Sequence, residues 1–63
     1  MEATERIKAI RTKTGKSQKA FAESYQIPIT TIRNWEQGIA EPPIYVLNLL
    51  EKVVEADLKS GTI

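Results

Sequence analysis

Neither cysteine nor histidine occurs among the 63 residues of this chain, and this restricts how it folds more than any other feature. No disulfide bond and no thiolate or imidazole metal site stabilises it. A chain this short buries only about 60% of the surface that its unfolded form exposes, so stability has to come from well-packed elements or from a partner chain. Catalysis would depend on carboxylates, lysines and hydroxyls alone. We therefore expect neither an enzyme nor a bound metal or cofactor.

Proline and glycine divide the chain into four segments that each have the periodicity of a helix. Ser17 is a good N-cap residue, and Gly38 suits a helix end. Pro28 and Pro43 suit a first helical turn. The segments are residues 3–13, 17–25, 28–38 and 43–59, and the expected inward positions are Ile7, Ile10, Ala20, Phe21, Tyr25, Ile32 and Trp35. The sequence predicts a compact all-α fold of four to five helices, with residues 1–63 forming one domain.

The charges are unevenly distributed along the chain. Residues 1–33 carry seven basic and three acidic side chains, a net charge of +4, whereas residues 34–63 carry two basic and five acidic ones, a net charge of −3. This asymmetry indicates one half that faces a polyanion and one half that points elsewhere. Chance clustering on a solvated surface explains it equally well at this point.

The fourth segment has more apolar surface than one burial face requires. One stripe consists of Leu47, Leu50, Val54 and Leu58, and a second consists of Tyr45, Leu49, Val53 and Ala56. A helix packed on one side of a small domain needs an apolar arc only somewhat wider than about 100°. The second stripe therefore favours a dimer or partner interface. The alternative is a long helix that bends near Lys52 and makes a second core contact.

An ordered motif lies in residues 17–38, which are long enough for a helix of two turns, a tight break and a helix of three turns. Its members are Ser17-Gln18, Ala22 after Phe21, Ile27 at the break, Ile32, then Glu36-x-Gly38, with Pro42 following. With the Ile7–Arg11 segment, this pattern resembles the phage-repressor and Cro-like (XRE-type) helix-turn-helix family over about residues 5–52. The resemblance implies a lambda-repressor-like fold and a DNA-binding function.

The third segment is then the recognition helix, which offers its outer face to base edges. With Ile32 and Trp35 inward, the outward residues are Ile29, Thr30, Arg33, Asn34 and Gln37. The resemblance implies base contacts at Ile29, Thr30 and Asn34. Asn34 suits a bidentate pair with adenine, and Arg33 suits guanine or a phosphate. Ile29 and the methyl group of Thr30 suit contact with a thymine methyl group.

The resemblance and elementary electrostatics together predict an ion pair between the first and third helices. Members of the family pair an arginine of the first helix with the glutamate that closes the third, and Arg11 and Glu36 match these positions. A partly buried charge requires such a partner.

Two departures from the family pattern are Pro28, where Ser or Thr is common, and Trp35, where an aliphatic residue is usual.

Phosphate contacts are expected at the flanks of the recognition helix. Ser17 and Gln18 lie at the start of the second helix, where backbone N–H groups favour an anion. Lys16, Gln37 and Gly38 are the next candidates. Lys13 and Lys19 are expected to add diffuse attraction. Such contacts fix the orientation of the protein on DNA without reading its sequence.

These features together predict a transcriptional repressor that binds double-stranded DNA as a homodimer, on half-sites about 34 Å apart. The alternative is an antitoxin-like or adaptor subunit whose C-terminal helix, about residues 43–59, binds a different protein. No apolar run approaches the roughly 20 residues of a membrane span, and the N-terminus lacks a signal-peptide core. We therefore expect a cytosolic protein.

Overall fold

The computed structural model describes residues 3–61, and within them it consists of four α-helices joined by short turns and one loop. The helices are α1 (Ala3–Thr14), α2 (Gln18–Tyr25), α3 (Ile29–Gln37) and α4 (Ile44–Ser60). No strand occurs in the part of the chain that is described. The predicted all-α class is confirmed, and the predicted segments match the helices to within two residues at each end.

The starts of the helices differ in how their first N–H groups are bonded. Ser17 is the N-cap of α2, and its hydroxyl oxygen accepts a hydrogen bond from the N–H of Ala20 at 3.1 Å. Pro28 and Pro43 occupy the same position before α3 and α4 but provide no side-chain cap. α3 and α4 begin one residue after their predicted starts, so each proline precedes the first helical residue.

All four helices are followed by a residue with a positive φ angle, and one of these four is not a glycine. Gly15 follows α1 with a φ of 72°. Gly38 and Gly61 close α3 and α4 with φ angles of 79° and 75°. Gln26 closes α2 with a φ of 56°. There the N–H of Ile27 donates to the carbonyl of Ala22 at 2.9 Å, as in a Schellman motif. A side chain in this conformation is strained relative to glycine, and no residue pattern predicts it.

The core lies where α1 packs against the other three helices. Its buried side chains are Ile7, Ile10, Phe21, Ala22, Ile32, Leu47, Leu50 and Val54. Three expectations require correction. Ala20 is only half-buried and Ala22 is the buried alanine, while Trp35 is half-buried because Glu36 takes the inner position beside Ile32. Leu58, the last residue of its stripe, is 38% exposed.

Three polar contacts attach α4 to the rest of the fold, and one of them is the ion pair in which Nη2 of Arg6 lies 3.9 Å from Oε1 of Glu51. The Tyr25 hydroxyl donates to Oδ2 of Asp57 at 2.8 Å and so joins the end of α2 to the last turns of α4. Nη2 of Arg6 donates to Oδ1 of Asn48 at 3.0 Å and joins α1 to α4. None of the helices in residues 3–61 combines the length and apolar character needed to cross a membrane.

Candidate nucleic-acid interface

The inner side of α3 is held by the core, and its outer side is polar. Ile32 and Glu36 are buried, with exposures of 0% and 5%. The predicted base-reading residues lie on the other side, where Thr30 and Arg33 are exposed and Ile29 and Asn34 are half-buried. Gln37 continues this row and is exposed. α3 therefore presents one continuous row of polar side chains flanked by Ile29.

The polar groups in this row are not used by the fold. Within residues 3–61, the side chains of Arg33, Asn34 and Gln37 make no hydrogen bond or ion pair. No buried side-chain nitrogen or oxygen in that range lacks a partner. The surface of α3 therefore has three neighbouring polar side chains that are available to an external partner.

Arg11 and Glu36 form a two-point ion pair that fixes α3 against α1. Nε of Arg11 donates to Oε2 of Glu36 at 2.7 Å, and Nη2 donates to Oε1 at 3.0 Å. The third nitrogen, Nη1, donates to the backbone carbonyl of Lys16 at 3.0 Å. Parallel hydrogen bonds between a guanidinium and a carboxylate are among the strongest in proteins. One side chain therefore positions both the recognition helix and the turn before α2.

The charge on Glu36 is retained despite its burial. Desolvation would raise the pKa of this carboxyl group, but hydrogen bonds from Arg11 and Gln18 and the positive charges of Arg11 and Lys8 outweigh it, so the pKa is lowered. The hydrogen bond from Arg11 is the main reason that the pKa of the guanidinium is raised. Both groups are therefore ionised across the physiological range.

The predicted phosphate-binding residues lie close together at the start of α2 and the end of α3, but several are already bonded. The Ser17 hydroxyl accepts the cap hydrogen bond and keeps its own proton free to donate. Nε2 of Gln18 donates to Oε1 of Glu36 at 3.2 Å. The Gly38 N–H donates to the Trp35 carbonyl at 3.4 Å. Of these residues, Ser17 and Gln37 are the exposed ones with a free side-chain donor.

Gly38 is explained by the fold itself. Its φ of 79° disfavours any side chain, and a Cβ there would lie 3.7 Å from Oγ1 of Thr4 on α1. The backbone conformation that ends α3 accounts for this glycine, since a Cβ at 3.7 Å would make only an ordinary contact. Its predicted contact with phosphate stays a prediction.

The sequence analysis missed one basic residue at this surface. Lys8 is exposed on α1 and is close enough to Glu36 for its charge to lower the pKa of that carboxyl group. It precedes Arg11 by three residues, so the two lie on the same face of α1. That spacing was visible in the sequence and would have identified Lys8.

An open hollow lies between α2 and the start of α3. It has a volume of about 580 Å³. Its apolar part consists of Ala22, Ile27, Pro28 and Ile29, and its polar part consists of Lys19, Glu23, Gln26 and Arg33. Arg33 belongs both to this hollow and to the polar row of α3, so the two surfaces are continuous.

The outer face of α4 forms a second exposed surface of opposite character. Tyr45 is 66% exposed, Leu49 61% and Val53 48%, and Ala56 is exposed as well. Leu49 and Val53 also border a shallow groove of about 330 Å³ whose other wall includes Tyr25. The alternative in which this stripe makes a second core contact is wrong for the described residues, because α4 is one uninterrupted helix with this face in solvent.

Comparison with known protein families finds one match. A family model described as helix-turn-helix matches residues 7–58, which include all four helices except the ends of α1 and α4. No curated protein and no solved structure gives a significant match to the chain. The match confirms the resemblance found in the sequence.

Proposed function

Because the chain belongs to the XRE-type helix-turn-helix family of DNA-binding transcription regulators, we propose that it is a repressor. It binds two-fold symmetric operator DNA as a homodimer and reads each half-site with α3. The residues that read bases are Ile29, Thr30, Arg33 and Asn34.

The observation that carries this proposal is the row of unbonded polar side chains on the outer side of α3. Arg33 and Asn34 supply the donors and acceptors that recognise guanine and adenine in the major groove. Their helix is held by the Arg11–Glu36 ion pair at 2.7 Å and by the buried Ile32. A rigid helix with free polar groups on one side is suited to base readout, since ordering those groups costs less entropy.

Backbone contacts would come from groups beside this row. Lys8, Lys13, Lys16 and Lys19 lie along the chain on either side of the start of α2, and Lys8, Lys13 and Lys19 are exposed. Lys8 is also close enough to Glu36, near the end of α3, to lower the pKa of that carboxyl group. The Ser17 hydroxyl and the start of α2 add donors that suit a phosphate oxygen. Such contacts supply most of the non-specific affinity and make it depend on salt.

The homodimer is supported by the apolar outer face of α4. Exposed apolar side chains that form one patch are typical of interaction sites, and Tyr45, Leu49 and Val53 follow one another along a single helix face. A two-fold axis near Leu49 would place each Tyr45 beside the Val53 of the other subunit. Two copies of one reading helix would then face successive turns of the major groove.

The same apolar face also fits the adaptor alternative, in which a different protein covers α4. The two possibilities differ in the behaviour of the purified chain. Self-association at micromolar concentration supports the homodimer, and a persistent monomer that binds an apolar dye on this face supports the adaptor.

The test of the reading helix is selection from random duplex DNA at near-physiological salt, followed by sequencing of the bound fraction. The wild type should enrich a two-fold symmetric motif. Asn34→Ala should lose preference at one defined position in each half-site, by about 1–3 kcal/mol for a bidentate contact. Asn48→Ala changes an exposed asparagine on α4 and should keep the wild-type motif. An unchanged motif with Asn34→Ala would contradict this assignment of the reading face.

A further inference from the structure

The start of α3 differs chemically from the rest of the reading row. Pro28 has no N–H and is exposed, and Ile29 has no polar side-chain atom. No side chain caps this helix end. The first side chain of α3 with several hydrogen-bond donors is that of Arg33, one turn later. Direct readout beside Pro28 and Ile29 is therefore limited to apolar contact.

These two residues form the apolar edge of the open hollow between α2 and α3. Its floor is completed by Ala22, which is 3% exposed, and by the half-buried Ile27. Its charged residues are Lys19, Glu23 and Arg33, a net charge of +1 that is compatible with a DNA strand nearby. The hollow is thus apolar at its base, positive at its rim and continuous with the reading row through Arg33.

One group in the major groove matches such a surface. The C5-methyl group of thymine is the apolar feature that the groove presents, whereas unmethylated cytosine has a hydrogen atom at C5 and an amino donor beside it. The same methyl group is present in 5-methylcytosine. Contact with this group requires no hydrogen bond from the protein, which is the condition that Pro28 and Ile29 impose.

We propose that the hollow formed by Pro28 and Ile29 reads a pyrimidine C5-methyl group in each half-site. The protein therefore distinguishes thymine from uracil and 5-methylcytosine from cytosine at that position, so cytosine methylation changes its affinity for DNA. This inference rests on the proposed function, because it takes α3 as the reading helix.

The test alters the DNA and leaves the protein unchanged. In the operator obtained by selection, each thymine is replaced singly by deoxyuridine, and affinity is measured at constant salt. One thymine per half-site should show a loss of about four-fold, which corresponds to one buried methyl group at about 0.8 kcal/mol. Cytosine placed at that position should bind about four-fold more tightly once it carries a 5-methyl group.

Two protein variants then locate the contact. Ile29→Ala should abolish the uracil penalty, whereas Thr30→Ser, which removes the neighbouring methyl group on the same helix, should keep it. Because Ile29 packs partly against the core, the folded fraction of each variant is checked by far-UV circular dichroism. A penalty that survives Ile29→Ala and disappears with Thr30→Ser would assign the contact to Thr30 and overturn the proposal.

Different results would overturn the reading of a methyl group and the proposed function. An operator that tolerates uracil at every thymine overturns methyl reading but leaves the reading helix in place. Selection that enriches no sequence overturns the proposed function, and methyl reading with it.

Discussion

The outer sides of α3 and α4 are both exposed, but they differ in polarity: the exposed row on α3 is polar, and the exposed outer face of α4 is apolar. On α3 the buried charge of Glu36 is fully bonded to Arg11 and Gln18, and the residues without partners are polar. On α4 the inner row is buried in the core, and one outer face consists of exposed apolar side chains, with Leu49 61% exposed.

This difference indicates two kinds of external partner. Free polar groups on a fixed helix suit hydrogen bonding to base edges, whereas exposed aliphatic and aromatic side chains suit burial against protein. Under the proposed function, this chain of 63 residues uses one helix for each role. If this assignment is correct, substitutions on α3 and α4 should have different effects.

Glu36→Ala should have the largest effect on the fold. It leaves Arg11 without its partner at the contact between α1 and α3, and breaking such a pair costs about 3 kcal/mol. Unfolding in urea should show this loss, which is a large share of the stability of a small domain. Glu55→Ala removes an exposed glutamate from α4 and should change stability by no more than about 0.5 kcal/mol. Equal effects of the two variants would mean that the ion pair does not position α3.

Gln26→Gly should change stability in the opposite direction to Glu36→Ala and stabilise the protein. α3 and α4 end in glycine, but the turn between α2 and α3 places Gln26 at a φ of 56°. Glycine removes this strain and should stabilise the protein by about 1 kcal/mol. In thermal unfolding, the midpoint should rise by roughly 4–8 °C. Gly38→Gln imposes the same strain at the end of α3 and should lower the midpoint; a rise there would refute the strain argument.

Tyr25 should give a smaller, pH-dependent effect on the contact between α2 and α4. Burial and then the hydrogen bond to Asp57 raise the pKa of Tyr25 to about 12, from an ordinary value of 10.0. The folded state therefore favours the neutral phenol. Its contribution to stability is complete below pH 10 and is lost as the pH rises from about 10 through 12.

Denaturant unfolding at pH 8 and pH 11 checks this sign. The wild type should be less stable at pH 11, and Tyr25→Phe should lose part of that dependence. Tyr45→Phe, which changes an exposed tyrosine on α4, should keep it. If Tyr25→Phe and the wild type lost the same stability, the link between Tyr25 and Asp57 would not contribute.

Much of the fold was predictable because its determinants are local. Ser17, Gly38 and the two prolines before α3 and α4 marked helix boundaries, and a periodicity of 3.6 residues identified most of the core. The conformation of Gln26 was not predictable, because glycine is the usual residue at a left-handed helix end and a glutamine carries no signal for it. Trp35 was expected inside, but its neighbour Glu36 is bonded to Arg11 and takes the inner position.

In the candidate site, the exposed face of α3 was predictable from the sequence, but the individual contacts between side chains were less so. The outward row of α3 followed from its periodicity. The bond from Gln18 to Glu36 did not, since it depends on the angle between α2 and α3. The hollow beside Pro28 and Ile29 also depends on that angle, because residues from both helices line it.

The most direct test of the division between α3 and α4 is selection from random duplex DNA with Leu49→Glu. This variant adds a charge to the exposed apolar face and leaves the reading row unchanged. The wild type should enrich two symmetric copies of a half-site, and Leu49→Glu should enrich the same half-site as a single copy. Asn48→Glu, which adds the same charge one residue away on the side of α4 that is bonded to Arg6, should keep both copies. Two unchanged copies with Leu49→Glu, or a different half-site, would contradict the assignment of reading to α3 and pairing to α4.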